Sequence, residues 1–188
     1  MHRKLAILAA ALLLLTGCQR GNAALQSALD LRASLNSAGG CSYRAEITAQ
    51  YPDADRKFSG SCRFKTDGGA EMTLTEPATI AGITASVTKD GANVSFEDTA
   101  VAFGSLAEGN LAPMAIPYVL GSSWAGAYIA SAGTEDGSVH VVYEKGYGDG
   151  QLRVDTWLSA ADGEPELAEI TYDGQKTASV RLSEFSLD

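Results

Sequence analysis

Histidine is almost absent from this chain, with only His2 and His140 in 188 residues. A lone histidine in the body of the sequence supplies neither a nucleophile–base pair nor a set of zinc ligands. Cysteine is equally scarce, at Cys18, Cys41 and Cys62, and none has a second Cys or His beside it to complete a metal site. No Gly-x-Ser-x-Gly turn occurs. Asp53 and Asp55 lack the downstream ligands of a calcium loop. Gly146-Tyr147-Gly148-Asp149-Gly150 is rich in glycine but joins two strand-like segments instead of opening a helix, so it is a hairpin loop and not a phosphate cradle. Basic residues are short too: 14 Lys and Arg stand against 23 Asp and Glu, for a net charge of −9. The acids are dispersed, as on a solvated surface, and such a surface repels nucleic acid and anionic lipid headgroups. These shortages argue against an enzyme, a metal protein and a nucleic-acid binder.

Long apolar runs are also missing, with one exception at the very start. Arg3 and Lys4 precede an unbroken stretch from Leu5 to Leu15 made only of Leu, Ala and Ile. At about eleven residues it is too short to cross a bilayer and suits the core of a signal peptide. Leu15-Thr16-Gly17-Cys18 follows, and it resembles the bacterial lipobox: a Leu, two small residues, then Cys. That resemblance implies cleavage after residue 17, diacylglycerol on the Cys18 thiol and an acyl chain such as palmitate on the new amino terminus, with no other cofactor. Residues 1–17 are then the cleaved signal, 18–22 a lipidated Cys with a short tether, and 23–188 a single domain. Each buried CH₂ contributes about 0.8 kcal/mol to such anchoring, and more than one chain makes it stable. The protein is expected outside the cytoplasm, on a membrane. Gln19 after the Cys is not the Asp that retains lipoproteins at the inner membrane, which suggests the outer membrane if the cell has one.

With Cys18 modified, Cys41 and Cys62 remain as a candidate disulfide in an oxidising compartment, with two buried free thiols as the alternative. Around them the pattern is regular. Ala24, Ala28, Leu31 and Leu35 recur at helical spacing over Ala23 to Asn36, widened by Leu25 and Leu29, with Asn22 as N-cap and Gly39-Gly40 as the stop. From Cys41 the period becomes two. Tyr43, Ala45, Ile47 and Ala49 alternate with polar residues. After Pro52-Asp53-Ala54-Asp55, Phe58, Gly60, Cys62 and Phe64 do the same, which predicts a hairpin. Placing the two cysteines directly opposite each other puts the turn at Tyr51-Pro52, a little earlier than the turn residues themselves favour. Further short strands run through Met72 and Leu74, Ile83 to Val87, Val94 to Phe96, and Val101 to Phe103. Leu111 to Trp124 breaks the alternation with Pro113 and Pro117, and predicts a short helix near Tyr118 to Trp124 or a lid-like loop. Strands then return at Tyr128, Val139 to Tyr143, Leu152 to Leu158, Leu167 to Tyr172 and Thr177 to Phe185, separated by Asp-Gly turns.

The expected fold is mainly β (α+β). About ten antiparallel strands form a curled sheet or half-open barrel, with an N-terminal helix and a short helical lid insert. Many inward positions are small (Ala45, Ala49, Gly60, Ala70, Ala85, Ala178). A curled sheet so lined either encloses an apolar cavity or packs closely enough to fill it. Tyr43, Ile47, Phe58, Phe64, Met72, Leu74, Ile83, Trp124, Tyr143 and Trp157 are the candidates to line such a cavity, and core packing is the other fate open to them. The lone helix, the hairpin, the strand ending at Glu76-Pro77, Ile80-Ala81-Gly82-Ile83, the apolar insert and the closing hairpins resemble the LolA/LolB lipoprotein-carrier superfamily, whose fold LppX and LprG share. That resemblance implies a half-barrel with a helical lid and, as ligand, the acyl chains of a lipid or lipoprotein. The alternative is a non-enzymatic structural or protein-interaction module of the cell envelope with a filled core.

Overall fold

The structure is a computed structural model and describes residues 17–89, 91–96, 99–103, 106–107, 110–146 and 150–188, with side chains for 23–89, 91–93, 112–146 and 150–188. The signal core, Leu15-Thr16 of the lipobox, the Cys18 side chain and the centre of the 146–150 loop lie outside these described residues.

The chain opens with helix α1 (Gly17–Ala38). Ala24, Ala28, Leu31 and Leu35 are its buried stripe, as their spacing requires, whereas Leu25 and Leu29 are exposed and do not widen it. The helix runs through Asn22 without a break, so Asn22 is not its N-cap and residues 18–22 are helical. Gly39 stops it, with φ of +84° and its N–H bonded to the Leu35 carbonyl, the left-handed conformation that glycine adopts at no steric cost.

Among the described residues, eleven strands then form one antiparallel sheet. The first arm comprises β1 (Gly40–Ala49), β2 (Arg56–Lys65), β3 (Gly69–Glu76), β4 (Thr84–Thr88), β5 (Gly91–Phe96) and β6 (Thr99–Phe103). β7 (Leu106–Ala107) and β8 (Asn110–Leu111) make a separate two-stranded ribbon. A 3₁₀ turn at Pro113–Ala115 leads into helix α2 (Ile116–Gly126). Pro117 lies in the first turn of α2, where its missing N–H costs nothing. The second arm comprises β9 (Tyr128–Glu135), β10 (Ser138–Lys145), β11 (Leu152–Leu158), β12 (Pro165–Tyr172) and β13 (Gln175–Leu187). The spatial order is β6-β5-β4-β3-β2-β1-β13-β12-β11-β10-β9. Every step is a local hairpin except β1–β13, which joins the two arms at the centre. The edge strands β6 and β9 do not pair with each other, so the sheet stays open. The half-open, mainly β architecture expected from the alternation is therefore present, with both helices packed on one face.

Parity along β1 and β2 is as expected: Tyr43, Ala45, Ile47 and Ala49 face inward opposite Cys62, Gly60, Phe58 and Arg56. The same register overturns the candidate disulfide. Cys41 pairs with Phe64 and Cys62 with Tyr43, which places the cysteines diagonally, and both are buried free thiols. A diagonal pair on one face of a sheet is about 7–8 Å apart, beyond disulfide reach. The turn falls later than direct opposition of the cysteines would demand, as its Pro-Asp chemistry favours. Burial pushes both thiols up to about 12, aided at Cys41 by the Asp188 carboxylate and at Cys62 by Cys41.

Candidate functional site

The concave face of the sheet gathers most of the residues expected to line a cavity. Tyr43, Ile47, Phe64, Met72, Leu74, Trp124 and Tyr143 belong to one buried cluster, with Phe58 and Ile83 partly buried against it. Ala45, Ala49, Gly60, Ala70, Ala85 and Ala178 are buried on the same side. Small side chains leave room there, and α2 enters it. Trp124, Leu120 and Ile116 of α2 are 0–1% exposed, each contributing about 1.5–3 kcal/mol by burial. Gly121 permits this close approach. A Cβ there would lie 2.1 Å from the Phe64 ring, so α2 rests directly on β2 through a glycine.

The two helices are joined by polar contacts. Arg32 on α1 donates from Nε to the Trp124 carbonyl at 3.1 Å and from Nη2 to the Ala127 carbonyl at 2.5 Å. Asn36, one turn further along, donates to the Ala125 carbonyl at 3.0 Å. These are end carbonyls of α2, which lack partners within a helix and carry its negative dipole end, so a guanidinium suits them. Trp124 Nε1 in turn donates to Thr156 Oγ1 of β11 at 3.1 Å.

An aromatic cluster lies under the joined helices. The Tyr43 and Trp124 rings meet edge-on at 5.9 Å, and Phe185 of β13 stacks on Tyr43 at 6.4 Å. Phe185 owes its position to a bulge. The β1–β13 register shifts between Ser42 and Arg44, and Glu184 takes φ of +53°. Inward residues on β13 are even-numbered before the bulge (Ala178, Val180, Leu182), and beyond it Leu187 pairs with the inward Cys41. Such an extra residue re-aims the side chains that follow it. Phe185 thereby forms the floor of a groove of about 430 Å³ together with Leu31 and Leu187, flanked by Ser27, Asp30 and Ser34 of α1 and by residues 162–164.

Trp157 is the exception among the expected cavity residues. It projects from the convex face of β11, where its ring stacks on His140 at 4.4 Å and its Nε1 donates to Glu135 at 3.0 Å. The alternation of Arg153, Asp155 and Trp157 against the buried Val154, Thr156 and Leu158 required this, and the aromatic character of Trp157 obscured it. His140 lies on that outer face as expected, with Nε2 at 2.9 Å from Asp155 and Nδ1 at 3.2 Å from Glu135. Arg153 closes the group with two hydrogen bonds to Asp155 at 2.7 and 2.8 Å. Burial works to raise the Asp155 carboxyl, but the hydrogen bonds from Arg153 and His140 outweigh it and hold it below the usual aspartate range. Arg32, Asn36, Gly121 and Phe185 were not legible as site residues. Only Arg32 left a trace, as the single basic residue of its helix over Ala23 to Asn36.

No protein-family model matches the chain, and no curated protein sequence matches it. Solved structures do. A DUF1329 family protein from Desulfovibrio piger aligns with a TM-score of 0.50 at 11% identity, covering 90% of this chain and 93% of that one. A LolA superfamily protein from Nitrosomonas europaea aligns at 0.43 and 14%, covering 86% and 93%. The lipoprotein LppX from Mycobacterium tuberculosis aligns at 0.44 and 14%, covering 88% and 97%. The likeness is one of fold. Among the described residues, no helix is long and apolar enough to cross a membrane.

Proposed function

We propose that the protein is a lipid-anchored, extracytoplasmic binding protein, held at a membrane through acyl chains on Cys18, that binds or carries a lipid or acylated ligand between the concave face and the helices. The observation that carries this reading is the way the half-barrel is closed. Its apolar, small-residue face is covered by two helices joined through Arg32 and Asn36, not by strand pairing. A cover seated by side-chain packing and a few polar contacts can lift as a unit, whereas a closed ladder of backbone hydrogen bonds cannot. Neighbours of the same fold whose names include a lipoprotein and a LolA superfamily member support it. The reading is of a binding protein and not an enzyme. His140 is committed to Glu135, Asp155 and Trp157, and a nucleophile is not among those partners.

Organic extracts of the purified protein, analysed by mass spectrometry, should contain co-purified lipid, and the protein should take up a fluorescent fatty acid. Neither lipid nor uptake would overturn the reading. The full burial of Trp124, Leu120 and Ile116 favours a second one, a protein-interaction module with a permanently filled core. It expects both assays to be blank.

A further inference from the structure

Tyr43 and Tyr143 each bury a hydroxyl that has no hydrogen-bond partner among the described residues. Tyr43 is 3% exposed and Tyr143 is 0%. A buried hydroxyl without a partner forfeits the bond it makes with water, and proteins rarely leave one so. Both phenols are kept neutral, Tyr43 well above its ordinary range through burial and then the nearby Cys62 and Cys41 thiols, Tyr143 through burial against a small opposing pull from Arg32. Neutral phenols are hydrogen-bond donors.

Two further observations single out Tyr43. Phe185, which stacks on it, stands on the β13 bulge beside Glu184, a non-glycine residue in the left-handed region. Strained backbone of this kind persists where the surroundings impose it, and it collects at ligand clamps. Phe185 is also the floor of the 430 Å³ groove, a volume within the range of small-molecule sites. Phe185 links the two features, lining the groove and stacking on the ring of Tyr43, whose hydroxyl is unpaired among the described residues. The acids on the groove wall, Asp30, Asp162 and Glu164, disfavour an anionic head at the mouth.

Resting on the lipid-binding reading, we infer that this groove is the mouth of an internal site, that Phe185 is its gate, and that Tyr43 Oη donates to a carbonyl oxygen of an uncharged acyl ester. The chain of the ester lies among the small residues of the concave face, and its uncharged head stays between α1 and residues 162–164.

The test uses the full chain carrying Trp157→Phe, which leaves Trp124 as the only indole and changes only the convex face. Two probes are titrated: 9,10-dibromostearoyl glycerol, and dibromo-octadecane, which has the chain but no acceptor. Bromine quenches an indole on contact. The ester should quench Trp124 saturably. Tyr43→Phe, which keeps the ring, should weaken the ester about fivefold and leave the alkane unchanged, as expected for one lost hydrogen bond. Phe185→Ala should speed both association and release. Saturable binding of both probes with no selective effect of Tyr43→Phe overturns this inference and leaves the lipid-binding reading standing. Uptake of fatty acid without quenching of Trp124 does the same. No binding of any probe overturns both.

Discussion

β10 and β11 present two contrasting surfaces from the same residues in alternation. On the concave side Tyr143, Val154 and Thr156 meet the helices in a buried interior where the Tyr143 hydroxyl has no partner among the described residues. On the convex side His140, Asp155 and Trp157 form a network with Glu135 and Arg153 in which each of these side chains has a partner. The contrast shows where binding capacity lies. In that network His140 and Asp155 are already committed to partners, however much the group looks like catalytic chemistry. An apolar face with an unpaired donor has a hydrogen bond to spare.

Substitutions can break or sharpen that contrast. Trp124→Ala should have the largest effect, since it removes the side chain that joins α2 to Tyr43, Phe185 and Thr156. A loss of about 3–5 kcal/mol in urea unfolding is expected. Arg32→Ala strips a guanidinium from the Trp124 and Ala127 carbonyls and should cost about 1.5–3 kcal/mol, with amide exchange across α2 accelerated beyond that in the sheet. Gly121→Ala forces a methyl into the Phe64 ring and should cost about 1–3 kcal/mol. A smaller loss there would mean that α2 yields easily, as a lid must. The convex face should give the least. Asp155→Asn should cost below about 1 kcal/mol near neutrality, because Arg153 and His140 are partly exposed. Its effect should appear in the pH profile. The folded-state pKa of Asp155 is depressed, so the stability it contributes is present above the unfolded-state value and is lost as pH falls through the folded one. Acid unfolding of the Asp155→Asn variant should therefore lack that component.

Much of the sheet was legible because one of its faces is buried and the other is wet, and alternation records that difference directly. Tyr43 to Ala49, Phe58 to Phe64 and Leu152 to Leu158 all show it. The concave candidates on the strands followed from parity; Trp124 and Trp157 rested on residue type, which suits Trp124 on α2 and runs against parity at Trp157. The disulfide failed on a register offset, since parity constrains which face a cysteine occupies but not which residue stands opposite. The bulge at Glu184 left no local signal: neither glycine nor a turn dipeptide marks it, so Phe185 read as the end of a regular strand. Exposure of Leu25 and Leu29 escaped because α1 is covered by the sheet over a narrower arc than its leucines span.

Arg32 and Asn36 hold only main-chain oxygens of α2. Every residue offers such an oxygen, so the side chains at 125 and 127 can change while this fastening persists, provided Ile116, Leu120 and Trp124 still fill the face beneath. In diverged homologues the feature to look for is thus an arginine followed four positions later by an amide on the opening helix, with a glycine where the second helix meets the sheet, whatever the intervening letters have become.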